Sequence, residues 1–263
     1  MSVHASLAPN LDVGSPFVEL RGAFVATTRA SGPWSPGHCH GGAVAALAVR
    51  AAAGVATRAT MALARLTIDL LAPVPVGKPI LPRIRVDKDG SKLQRLVVAL
   101  DVDGRTMAIA SLLRVRTTGC PPYRAKVDWV DETAAEIGTL GGFSGQFETV
   151  SEQGGIGMVG PGRVWFRMRA PLVEGGPYIA EEAAAAIADF TSAIGMSRPY
   201  QLYEFPSVDL SVGLSRAPLG EWIRIDAFNS DGDEGRAACY STLSDCYGPF
   251  AHVVQTSFVE RRS

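Results

Sequence analysis

Two histidines, a cysteine and two glycines crowd into HCHGG, residues 38 to 42, at the head of a run that is otherwise almost all alanine and valine, AVAALAVRAAAG (43 to 54). An HxH pair can supply two metal ligands. If the segment is extended, however, Cys39 points away from both rings, and no cluster of Asp, Glu or Cys completes a set, so no metal is expected. His38 and His40 are placed instead at the entrance of a pocket, or in a plain loop. The glycines suggest other chemistry. A helix beginning at Gly41 and Gly42 presents unpaired backbone N–H groups at its positive end, and the missing side chains let a carbonyl oxygen or a phosphate come close. Tight packing of the helix against a sheet would demand the same glycines, and both can hold.

The second chemical group is a single acid. Asp189 lies at the end of IAEEAAAAIADF (179 to 190), and Ala185 and Ala186 one turn earlier put it on an apolar surface. A carboxylate buried there is costly unless something compensates it. The alternative is an acid at the helix end, in solvent or capping the DFTS turn.

The surrounding elements follow from periodicity. Residues 41 to 53 lack a polar face, which predicts a helix covered on nearly all sides, near 41 to 55. Ala64, Leu66, Ile68 and Leu70 then alternate with Arg65, Thr67 and Asp69, the period of a strand covered on one face. Turn signals in APVPVGKP, KDG and DG separate three more strands, near 79 to 87, 92 to 102 and 105 to 116, and the set reads as an antiparallel meander. The second half repeats the plan at an offset of roughly 143 residues by alignment of these landmarks. A helix near 178 to 191 precedes Val208, Leu210, Val212 and Leu214, which alternate with Ser207, Asp209 and Ser211. A PLG turn and strands near 221 to 229, 235 to 243 and 250 to 260 follow. In the repeat, Ala45 and Ala46 correspond to Asp189, so one half alone carries the acid. Three units are expected: 1–120, a Gly-rich crossover 121–162, and 163–263. The nine glycines between 138 and 162 disfavour regular structure there.

Composition narrows the class. The 25 basic and 26 acidic residues nearly cancel, which gives no global field for nucleic acid. Four scattered cysteines (Cys39, Cys120, Cys239, Cys246) make neither a disulfide framework nor a CxxC pair, which fits a reducing cytoplasm. The N-terminal MSVHASLAPNLDVG lacks the basic and apolar regions of a secretory signal, and no apolar run is long enough for a membrane span. There is no GxSxG elbow, and no serine or cysteine has a recognisable adjacent base, which argues against an acyl-enzyme route.

An apolar helix wrapped by an antiparallel sheet, occurring twice, resembles the double hotdog fold, an α+β architecture. The strings HGGAVAALAVRAA, KDGSKLQRLVVAL, SVDLSVGLSRAPLGEW and AHVVQTSFV are similar to those of acyl-CoA thioesterases of type II and their thioesterase-like relatives, over about residues 20 to 260. The resemblance implies that Asp189, Ser207 and Gln255 hold and activate a water, with serine where the family's best-studied pattern has threonine. It further implies an acyl-CoA substrate, no cofactor beyond the CoA of that substrate, and a monomer, dimer or larger homo-oligomer. Within it, Gly41 and Gly42 polarise an acyl carbonyl bound between the two hotdogs. Arg21, Arg29, Arg83, Arg85, Lys88, Lys92 and Arg95 are candidates for the CoA phosphates. Two alternatives stay open: a noncatalytic acyl-thioester binding module, and an enoyl-CoA hydratase of the same fold. The string that pairs Asp and His on one hydratase helix is absent, which favours hydrolysis. Strand alternation puts Ser207 on the face opposite Val208 and Leu210, so it reaches a helix-side site only through a bend near Pro206 or a bulge. Gln255 sits among Val253, Val254 and Phe258, where an edge-strand residue facing solvent is the competing expectation.

Overall fold

A computed structural model describes residues 14–120, 130–138 and 142–262. The reading of the first thirteen residues, and the part of the crossover at 121–129 and 139–141, lie outside the described residues. The first half begins with a hairpin, β1 (Phe17–Leu20) and β2 (Ala23–Ala26), which the sequence reading did not include. Helix α1 (Gly41–Ala53) follows, then β3 (Met61–Leu70), β4 (Pro79–Asp89), β5 (Leu93–Val102) and β6 (Arg105–Arg116). The second half comprises β7 (Glu136–Ile137), β8 (Phe147–Gln153), β9 (Gly162–Met168), α2 (Ala180–Ala188), α3 (Thr191–Ile194), β10 (Tyr203–Glu204) and β11 (Asp209–Leu214). It ends with β12 (Trp222–Asp231), β13 (Arg236–Asp245), β14 (Gly248–Phe258) and β15 (Glu260–Arg261).

Among the described residues, thirteen strands form one sheet in the order β1-β2-β4-β5-β6-β3-β11-β14-β13-β12-β9-β8-β7. The order is nearly a palindrome about the β3–β11 pair, where two half-sheets meet edge to edge. At that seam Leu66 lies opposite Val212 and Ile68 opposite Leu210, and all four side chains are buried. The Ser211 hydroxyl donates to Thr67 Oγ1 beside them at 3.2 Å. Two expectations need correction. The first half is not a simple four-strand meander, because β3 pairs with β6 and β11, and not with β4. The Gly-rich crossover is not irregular throughout, because β8 lies inside it and pairs with β9, extending the second half-sheet.

Each half-sheet wraps one central helix. α1 packs against β3, β4, β5 and β6, and α2 against β11, β12 and β13. Alanine makes this possible: small side chains cost little conformational entropy in a helix and let a sheet approach closely. The two helices also touch each other. A Cβ at Gly42 would lie 2.3 Å from the backbone oxygen of Ala186, so no other residue fits that crossing without a shift. One contiguous apolar core runs from Phe17 and Leu47 through Leu66 and Leu210 to Ile225, across both halves. The second helix, expected as one piece, ends at Asp189, and Phe190 leads into the short α3. That break places the acid at a helix end that faces the start of α1.

Candidate active site

Asp189 is 4 % exposed, and its carboxylate is held from both halves of the chain. The Gly42 N–H donates to Oδ2 at 2.6 Å, and His40 Nδ1 lies 2.9 Å from the same oxygen. Gln255 Nε2 donates to Oδ1 at 2.6 Å, and the Ser207 hydroxyl also hydrogen-bonds the carboxylate. Burial alone would push the carboxyl up. The His40 imidazole, the Ser207 hydroxyl and the Gly42 N–H together outweigh it and hold Asp189 below its ordinary value. The acid therefore stays ionised at neutral pH, at the foot of a cavity.

Gly41 is required by the same contact. A Cβ there would fall 2.7 Å from Asp189 Oδ2 and 2.9 Å from Leu70 Cδ1. The paired glycines thus serve two purposes: Gly41 leaves room for the carboxylate, and Gly42 lets the helices cross. One expectation changes as a result. The Gly42 N–H points at Asp189 and is taken, whereas the Gly41 N–H meets no acceptor among the described residues and lines the cavity. The open positive end of α1 is reduced to that N–H.

Ser207 reaches the helix side through a bulge. It bridges Ser257 on β14, whereas Ser211 lies opposite Val254, so four steps along one strand face three along the other. The extra residue turns Ser207 to the side of Leu210 and Val212. Asp209 Oδ1 accepts the Thr256 N–H at 2.6 Å and secures the irregular stretch.

Gln255 is fully buried, because β14 is an interior strand between β11 and β13. Its Nε2 lies 2.6 Å from Asp189 Oδ1 and 2.7 Å from Ser207 Oγ, and its Oε1 accepts the Ser192 N–H at 3.0 Å. The amide is a brace behind the acid and the hydroxyl, and it does not line the cavity. In the first half Thr67 pairs with Ser111 as Ser211 does with Val254, so Gln255 occupies the place of the buried Leu112.

The two histidines part company. His38 is exposed at the cavity rim, while the His40 ring stacks on Phe190 at a centroid distance of 4.7 Å and meets Phe143 at a tilt at 5.1 Å. Cys39, between them, packs against the core, where burial pushes its thiol up to about 12. The sequence reading put His40 at the entrance and missed that it pairs with Asp189. The available signal was its place immediately before the Gly-Gly helix start. Among the described residues, no group of three or more His, Cys, Asp or Glu could hold a metal.

The cavity has a volume of about 390 Å³. Asp189, Ser207, His40 and Gly41 form its polar end, and Trp34, Val44, Leu70, Val74, Phe205 and Phe258 supply apolar wall. A polar end with an ionised carboxylate, a hydroxyl, an imidazole and a free N–H, joined to an apolar chamber, suits a ligand with a reactive carbonyl and a hydrocarbon tail. Three of the cations considered for phosphate are already paired: Arg83 with Asp101, and Arg85 and Arg95 with Asp87.

Comparison with known proteins agrees with this architecture. The profile of the acyl-CoA thioesterase N-terminal domain matches residues 30–115, and that of the C-terminal domain matches residues 118–259. No curated protein matches the chain. Among solved structures, a protein of unknown function with a hot dog fold from Alicyclobacillus acidocaldarius superposes with a TM-score of 0.72 at 14 % identity, covering 96 % of this chain and 98 % of that one. A protein from Novosphingobium aromaticivorans, provisionally named a thioesterase, gives 0.70 at 20 % identity over 93 % and 98 %. The acyl-CoA thioesterase II TesB2 of Mycobacterium marinum gives 0.66 at 16 % over 96 % and 98 %. At such identities these structures show the fold, a double hotdog. The profile matches reach further, since they cover most of the sequence from Ala30 to Val259, and by them the chain belongs to the acyl-CoA thioesterase family.

Proposed function

We propose that this protein hydrolyses acyl-CoA thioesters by direct attack of water on the acyl carbonyl. The observation that carries the reading is the ionised, four-fold hydrogen-bonded Asp189 at the polar end of an apolar cavity, with a hydroxyl beside it. Water held beside Ser207 at the charged end of the cavity has its proton drawn toward the Asp189–His40 pair and its lone pair turned to the carbonyl. Gln255 fixes both groups, and the Gly41 N–H at the positive end of α1 receives the charge that develops on the carbonyl oxygen. No serine or cysteine nucleophile is needed, and Cys39 is a poor one, since burial keeps its thiol protonated.

The substrate brings its own CoA, and the reading needs no further cofactor. None of the four cysteines is in a disulfide, which suits a reducing compartment, and we place the protein in the cytoplasm, in fatty acid metabolism. No helix among the described residues is long and apolar enough to cross a membrane. A homo-oligomer is proposed on family grounds alone. Free CoA released from a panel of acyl-CoA chain lengths, with enoyl-CoA hydration followed in parallel, tests the reading. CoA release supports hydrolysis. Hydration without release would make the protein a hydratase, and binding without either would make it a noncatalytic acyl-thioester module.

A further inference from the structure

The Asp189 carboxylate is strongly charged but poorly placed as a base. Its oxygens already accept from Gly42, His40, Gln255 and Ser207, and these same bonds hold its proton affinity below the ordinary value. A general base works best when its pKa lies near the working pH. The imidazole beside it keeps one nitrogen unengaged.

The His40 ring is fixed on three sides. Phe190 stacks on it, Phe143 packs beside it at a tilt, and Nδ1 lies 2.9 Å from Asp189 Oδ2 and 3.0 Å from the Gly42 nitrogen. The Gly42 N–H points at both acceptors, His40 Nδ1 at 3.0 Å and Asp189 Oδ2 at 2.6 Å, and the shorter contact lets the carboxylate take it. Two bare lone pairs would repel at 2.9 Å, so the contact is satisfied when Nδ1 carries the hydrogen and donates to Asp189. Nε2 then bears the free lone pair. It has no partner among the described residues, and the side chain, 10 % exposed, lines the cavity.

We propose that His40 is a catalytic residue, whose Nε2 takes the proton of the attacking water while Asp189 orients the ring through Nδ1 and stabilises the imidazolium. The proposal rests on the hydrolase reading and assigns its proton to a particular atom. As a water O–H bond breaks, the proton passes to Nε2 and the oxygen bonds to the acyl carbon, while the carbonyl pair moves onto its oxygen. On collapse the C–S bond breaks with its electrons on sulfur. Nε2 then returns the proton to sulfur, giving CoA thiol and the free acid. The ring has few polar neighbours: Asp189 is the one charged side chain paired with it among the described residues, Phe190 stacks on it and Phe143 packs beside it, and in its own segment Cys39 packs against the core and His38 sits on the rim.

The test compares wild type with His40→Asn, whose amide NH2 can occupy the place of Nδ1 and keep the donated bond to Asp189, but which has nothing at Nε2. CoA release is followed chromatographically from pH 4.5 to 9, alongside thermal unfolding and binding of a non-hydrolysable acyl-CoA analogue. The expected result is a folded, binding-competent variant whose kcat falls by about 100- to 10,000-fold with KM little changed. Wild-type kcat/KM should also carry an acid limb that the residual rate of the variant lacks. A variant within about twofold of wild type would overturn the proposal, as would a wild-type rate that stays level down to pH 4.5, the behaviour of a carboxylate base; either result leaves hydrolysis itself standing. If the variant does not fold, the wild-type profile decides. A wild type that releases no CoA from any acyl-CoA removes the hydrolase reading and the role of His40 together.

Discussion

Asp189 was legible in the sequence because an acid on an alanine surface is anomalous, and because Ala45 and Ala46 stand in its place in the other half. What compensates it was not legible. Three of its four partners come from segments far away in sequence, and nothing in a one-dimensional pattern shows that the head of α1 meets the end of α2. Ser207 and Gln255 entered through resemblance alone: strand alternation pointed Ser207 the wrong way, and a one-residue bulge corrected it. Asp189→Asn keeps the shape of the side chain but removes the charge that any proton transfer here depends on. Its CoA release should fall by about 100- to 10,000-fold, with binding of acyl-CoA retained. Gln255→Ala and Ser207→Ala should lose less, and the double variant should lose less than the product of the two, because Gln255 acts in part by fixing the Ser207 hydroxyl. Multiplicative losses in initial-rate measurements would show that the two act separately.

At the level of elements, the helices and most strands followed from periodicity, because a core that wraps a helix imposes period two on the sheet and small residues on the helix. The hairpin β1–β2 and the run β7–β8–β9 were missed, as was the two-residue β10. The first is short, and the second lies in a stretch whose glycines signal turns. Position Gly42 tests the helix crossing. Gly42→Ala would set a methyl against the Ala186 oxygen, an overpacking that costs about 1–3 kcal/mol. Each kcal/mol corresponds to roughly 2–4 °C of Tm for a chain of about this size. An unchanged melting temperature would show that the helices can separate freely. The same pair of helices holds a buried ion pair, Arg50 Nε to Glu182 Oε1 at 2.6 Å. Burial pushes the Glu182 carboxyl up to about 7, although Arg50 opposes the shift. A carboxyl raised in the folded state binds its proton more tightly there than in the unfolded chain. Stability is therefore lost as pH rises from the ordinary carboxylate range through about 7. Denaturation midpoints for wild type should decline between pH 5 and 8, and those of Glu182→Gln should decline less; equal slopes would mean that Glu182 stays ionised throughout.

Across the whole molecule, a nearly symmetric scaffold carries one site. The seam between β3 and β11 and the contact between α1 and α2 bring the two halves into one core, and the site straddles them: His40, Gly41 and Gly42 come from the first, Asp189, Ser207 and Gln255 from the second. Residues 1–120 and 130–263 produced together as separate chains should therefore copurify and release CoA, and neither should do so alone. Activity from the second half by itself would show that the head of α1 is dispensable. The central claim, hydrolysis at a site organised by Asp189, is tested most directly by CoA release from an acyl-CoA chain-length series, measured for wild type and Asp189→Asn under single-turnover conditions. Release by the wild type on at least one chain length, with the variant slower by about 100-fold or more and still binding, is the predicted result. Release at equal rates by both proteins, or by neither while both bind the thioester, would contradict it.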